Sequence, residues 1–73
     1  MVRTLDARGL ACPLPLIHAR RALATLATGD TLIVLATDPE APIDLAALAA
    51  DENLAFASEQ SGDEWMITLA RGV

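Results

Sequence analysis

A chain of 73 residues with a single cysteine and a single histidine is one small domain, closed by no internal disulfide and by no zinc site of its own thiol and imidazoles. More than half of it is apolar but only Phe56 and Trp65 are aromatic, so the core is expected to come from Leu, Ile, Val and Ala. A net charge of −5 without one lysine argues against direct nucleic-acid binding, and no apolar run reaches the roughly 18 residues of a membrane span.

The stretch MVRTLDARGL also lacks the apolar segment of a signal peptide. The expected location is therefore the cytoplasm, where a free thiol persists. The charges are unevenly placed. Residues 1–29 hold Arg3, Arg8, Arg20 and Arg21 against Asp6, whereas residues 30–73 hold nine acids against Arg71.

In chain order, VRTLD (2–6) has the pattern of a short first strand, ended by ARG. From Pro13 to about Ala27 the apolar period turns helical: Leu16, Ala19, Leu23, Leu26 and Ala27 fall on one stripe, with His18, Arg21 and Thr25 opposite. Gly29-Asp30 supplies the stop. TLIVLAT (31–37) is apolar and β-branched, as expected of a central strand covered on at least one face.

DPEAP then makes a turn, and Pro42 is placed to open a second helix running to Asp51 or Glu52, with Leu45, Leu48 and Ala49 inward. Asn53 suits a left-handed cap at its end. LAFASEQ (54–60) and EWMITLA (64–70), around Ser61-Gly62-Asp63, read as a hairpin. The order β-α-β-α-β-β packs most economically as an α+β two-layer sandwich, a four-stranded mixed sheet with both helices on one face.

The chemistry-bearing candidate is Cys12, in GLACPLPLIHARRAL. If the helix opens at Pro13, Cys12 is its N-cap, and Pro13 and Pro15 occupy first-turn positions whose amides have no internal partner. A helix N-terminus favours an adjacent anion, so the thiol is expected to titrate below its ordinary value near 8.5 and to act as a nucleophile. Leu14 falls about 20° from Arg21, opposite the core stripe, as an apolar footprint for a docking partner. The alternatives are that Cys12 is a small buried core residue and that Leu14 packs on the N-terminal strand or loop.

His18 lies too far round the helix to serve Cys12 as a base and reads as a surface residue. No second cysteine exists to resolve a bond at Cys12. Asp38 and Asp44 flank a turn and a helix start, where capping is the expected role, and Asp51, Glu52, Asp63 and Glu64 read as solvated.

LDARGLACPLPLIHARRAL resembles the signature of the TusA (SirA-like) family of small sulfur carriers, in which a strand and an R-G turn lead into C-P-x-P and a helix. GDTLIVLATDPEAPIDL is similar to that family's next segment, and the likeness runs from about Leu5 to Leu69. It implies the same βαβαββ sandwich. It also implies that Cys12 accepts sulfane sulfur as a persulfide and passes it on, as a carrier rather than a stand-alone enzyme.

Pro13 and Pro15, with Arg8 and Gly9, are read as shaping the turn, Leu14 with Arg20 and Arg21 as docking partners, and the resemblance adds a second motif at Asp38-Pro39. Its implied partners are a cysteine desulfurase or rhodanese-type donor and an acceptor protein in tRNA thiolation, cofactor assembly or sulfur oxidation. No cofactor or metal is implied, and a monomer is expected. The chain departs from the family pattern at Glu40-Ala41 for Gly-Ser, at Asn53 for Gly and at Arg20-Arg21 for Lys-Lys. The rival reading is a non-catalytic interaction or regulatory domain with a structural cysteine.

Overall fold

The computed structural model describes residues 1–72. Its elements follow in the order β1 (Val2–Ala7), α1 (Leu14–Leu23), β2 (Thr31–Ala36), α2 (Ala41–Glu52), β3 (Leu54–Ser61) and β4 (Glu64–Arg71). They form one four-stranded sheet ordered β1-β2-β4-β3. β1 and β2 run parallel through the α1 crossover, whereas β4 is antiparallel to both its neighbours. β4 therefore slots between β2 and β3, making β2-α2-β3 a split β-α-β unit.

Burial shows how the layers stack. Along β2 the residues alternate, with Leu32, Val34 and Ala36 buried and Thr31, Ile33 and Leu35 half-buried. Their β4 partners Leu69 and Ile67 are fully buried too. Both helices lie over this face. α1 contributes Pro15, Ala19 and Leu23, and α2 contributes Ala41, Leu45, Leu48 and Ala49, to a core almost wholly aliphatic.

The expected α1 stripe is shifted at both ends. Pro15 is buried in place of Leu16, which is half-buried, and Ala27 is exposed. The helix also stops four residues short of Ala27, at Leu23. Thr25 N donates to Ala22 O at 3.1 Å and Leu26 N to Leu23 O at 3.1 Å, the tighter spacing with which helices unwind. The Asp30 carboxylate then accepts from Ala27 N at 3.0 Å and turns the chain toward β2. Arg71 Nη2 donates to Leu23 O at 3.1 Å, a cation at the helix C-terminus where the macrodipole favours it.

Asn53 ends α2 at φ 58° and ψ 48°, the left-handed cap that asparagine tolerates better than other non-glycine residues. The β3–β4 hairpin turns on Gly62-Asp63 alone, because Ser61 pairs with Glu64 inside the ladder. Gly62 has φ +61°, as a two-residue loop of this hand requires.

Leu45 is 0% exposed, so Leu45→Ala is expected to lower stability by about 2–5 kcal/mol in urea denaturation. Asn53→Gly is expected to hold wild-type stability to within a few tenths of a kcal/mol, while Asn53→Val loses about 1–2 kcal/mol to the left-handed backbone.

Candidate functional site around Cys12

Parallel pairing of β1 and β2 brings the C-terminal ends of both strands to one edge of the sheet, so the two loops that lead into the helices lie side by side. In the first loop Leu10 N donates to Ala7 O at 3.2 Å, closing a turn in which Gly9 has φ +83°. A positive φ at that third turn position favours glycine. Gly9 N also donates to Thr37 Oγ1 at 2.9 Å, pinning the first loop to the second.

Arg8 braces the same turn. Its Nε and Nη2 donate to the two Asp6 oxygens at 2.9 and 3.0 Å, and its backbone N–H donates to Asp6 Oδ1 at 3.1 Å. Glu64 Oε1 lies 3.5 Å from Nη1. The hydrogen bonds from Arg8 hold the Asp6 carboxyl down at about 2, and Asp6 in turn raises Arg8.

Asp38 is the hub of the second loop. One oxygen accepts from Glu40 N at 2.9 Å and the other from Cys12 N at 2.5 Å, and its carbonyl accepts from Ala41 N at 3.0 Å. The backbone donors of Glu40 and Cys12 hold its carboxyl below the usual range. Asp38 thus shapes the turn into α2, as a capping acid should, and also grips the neighbouring loop. Pro39 follows it on a shallow groove lined by Thr37, Gln60, Asp63 and Trp65.

Cys12 is not the N-cap. That position is Pro13, helix α1 begins at Leu14, and the cysteine lies one residue earlier, before a cis Cys12–Pro13 peptide. Leu14 N donates to Ala11 O at 2.9 Å and Ile17 N to Pro13 O at 3.0 Å, so these first-turn amides serve backbone carbonyls. The exposed thiol instead donates to Asp44 Oδ2 at 3.0 Å.

The electrostatic expectation is reversed accordingly. The hydrogen bond to Asp44, with desolvation and the charges of Asp44, Asp38 and Glu40, pushes the thiol up from 9.0 to about 11. An N-terminal dipole favours an anion, but a carboxylate within hydrogen-bond distance outweighs its half charge. Asp44, in the first turn of α2, was expected only to cap. Its part at the thiol follows from the packing of α2 beside α1, to which no local sequence signal points.

The remaining candidates line the exposed side of α1. Leu14 and Ile17 are 42% and 37% exposed, so Leu14 does not pack into the N-terminal strand, and Arg20 and Arg21 are exposed. Leu14, Ile17 and Arg21 share a face at helical spacing. Ile43, beside Asp44, is 66% exposed. Ile17 and Ile43 were not singled out from the sequence. His18 is half-buried rather than fully solvated. Among the described residues no three His, Cys, Asp or Glu side chains gather to hold a metal ion, and no helix is long and apolar enough to cross a membrane.

The raised thiol has two measurable consequences. Alkylation of Cys12 by iodoacetamide is expected to rise with a midpoint near pH 11, well above the 9.0 of an unperturbed thiol. Folding favours the protonated form, so its contribution is complete below pH 9.0 and is lost as pH climbs to about 11. Melting temperature in that window is expected to fall further for wild type than for Cys12→Ser. A midpoint at or below 9.0 rules out the Asp44 contact in solution.

Comparison with known proteins places this fold. The sequence matches the family model described as sulfurtransferase TusA over residues 3–71. The sulfur carrier protein TusA of Allochromatium vinosum is 38% identical over 68 residues, covering 93% of this chain and 78% of that one. A Neisseria meningitidis protein named provisionally as a sulfur carrier is 51% identical over 61 residues, covering 81% and 82%. The crystal structure of a SirA-like protein from Desulfitobacterium hafniense superposes with a TM-score of 0.87 at 29% identity, each chain covered in full. The chain belongs to the TusA family of sulfur carriers.

Proposed function

We propose that this chain carries sulfane sulfur as a persulfide on Cys12. The observation that supports it most is a single exposed thiol at the joined loops of a TusA-family fold, with no second cysteine in the chain to close a disulfide on it. Cys12 Sγ attacks the terminal sulfur of a donor persulfide. The new Sγ–S bond forms as the donor's S–S bond breaks, and the thiol proton goes to the departing donor thiolate. Delivery repeats the exchange with an acceptor thiol as nucleophile and Cys12 as leaving group, so the relay is redox-neutral.

The donor in this reading is a cysteine desulfurase or rhodanese-type protein, and the acceptor is a protein thiol in tRNA thiolation, cofactor assembly or sulfur oxidation. Arg8 and Gly9 shape the first loop, Pro13 and Pro15 the approach to α1, and Asp38-Pro39 the second loop. Leu14 and Ile17, with Arg20 and Arg21, are the docking face. An apolar patch rimmed by cations suits a partner with an apolar anchor and acidic surroundings.

A structural cysteine in an interaction domain is the second reading, favoured by the raised thiol pKa. It requires that Cys12→Ser cost stability, whereas an exposed side chain outside the core predicts a change within about 0.5 kcal/mol.

Intact mass after incubation with glutathione persulfide tests the carrier reading. Wild type is expected to gain one sulfur atom and Cys12→Ser none; no gain on wild type, or equal gain on both, overturns it. Leu14→Asp is expected to take sulfur from glutathione persulfide at the wild-type rate but from a purified cysteine desulfurase about tenfold more slowly, the effect of losing a central apolar anchor. Equal slowing with both donors would remove Leu14 from the docking face.

A further inference from the structure

The contact between Cys12 and Asp44 does something that a carrier needs and that a capping acid does not explain. In the empty carrier Sγ bears a proton and donates it to Asp44 Oδ2 at 3.0 Å. Once Sγ carries a second sulfur it has no proton left, and that hydrogen bond cannot form. The terminal sulfur of a persulfide is more acidic than a thiol and carries the negative charge. That anion then sits beside the carboxylates that bear on the thiol, Asp44 from α2 and Asp38 and Glu40 from the loop before it. The arrangement favours the empty state twice, by a bond present only there and by repulsion present only in the loaded state.

We propose that Asp44 sets the sulfur-transfer equilibrium of this carrier, stabilising the empty thiol over the persulfide so that sulfur passes onward rather than remaining on Cys12. The proposal rests on the carrier reading and adds to it a direction. The balance is Cys12–SH + R–S–S⁻ ⇌ Cys12–S–S⁻ + R–SH. One S–S bond is exchanged for another and one thiol proton for another, with no net oxidation. Asp44 is unchanged across the reaction, and its carboxylate meets Sγ–H on the left and the persulfide anion on the right. The docked acceptor thus receives sulfur from a site that prefers to be empty.

Asp44 lies in the first turn of α2 and is half-buried, with its side chain outside the aliphatic core. Asp44→Asn keeps the shape, removes the charge and leaves only a weaker neutral acceptor for the thiol. Asp51→Asn, an exposed acid at the far end of the same helix, is the control for net charge and folding.

The measurement holds each protein at a fixed glutathione persulfide to glutathione ratio until the loaded fraction, read by intact mass, is constant. Loss of a charged hydrogen-bond partner together with a repelling charge is expected to raise the loaded-to-empty ratio of Asp44→Asn about tenfold over wild type. Asp51→Asn is expected to match wild type. The alkylation midpoint of Cys12 is expected to fall toward 9.0 in Asp44→Asn and to remain near 11 in Asp51→Asn, a readout that a purely structural role would not move.

An unchanged ratio in a folded Asp44→Asn overturns the proposal while leaving the carrier reading intact, and so does an equal rise in Asp51→Asn. Absence of added sulfur on wild type and both variants overturns the carrier reading and the proposal with it.

Discussion

The site depends on one constraint, the grip of carboxylates from the second β–α junction on the cysteine of the first. Asp38 accepts from the Cys12 amide and Asp44 from its thiol, so both the backbone and the sulfur of a residue outside any helix or strand are held from across the fold. The parallel β1–β2 pair makes this possible, because only strands of the same direction deliver their C-terminal loops to one edge. A loop with a free cysteine would otherwise sample many conformations, and its sulfur would have no defined electrostatic setting. With the grip in place, the thiol is exposed and yet protonated.

That combination bears on what a carrier thiol needs. Electropositive environments that create thiolates favour fast attack, but they also expose a nucleophile to every electrophile in solution. Here the surrounding charges are all negative, and the hydrogen-bonded form is the thiol. Intrinsic nucleophilicity rises with pKa less steeply than the thiolate fraction falls, so the guarded thiol attacks free electrophiles more slowly than an unshifted one. The exposed apolar and cationic residues of α1, Leu14, Ile17, Arg20 and Arg21, lie on the helix that begins beside the thiol.

The rest of the molecule serves stiffness. An aliphatic core spread over one face of four strands, with two helices packed on each other above it, leaves little room for the two loops to move apart. The Asp6–Arg8–Glu64 cluster ties the end of β1 to the start of β4, and Gly9 ties the first loop to Thr37. These exposed pairs are each weak alone, but all act at the sheet edge that bears Cys12.

By itself the sequence determined what depends on local pattern. The apolar alternation and β-branching of TLIVLAT, the Pro42 start, the Asn53 cap and the Gly62 turn mark their elements because propensity and backbone sterics act within a few residues. The fold order and the prominence of Cys12 were legible for the same reason. Only the tertiary structure decided the state of the thiol. Asp44 is 32 positions from Cys12 in sequence, and its reach to Sγ exists only once α1 and α2 pack together, so the helix dipole taken without the facing carboxylate gives the shift the wrong sign. The Arg71 guanidinium on the last carbonyl of α1 has the same origin, a contact across 48 positions that no 3.6-residue period encodes.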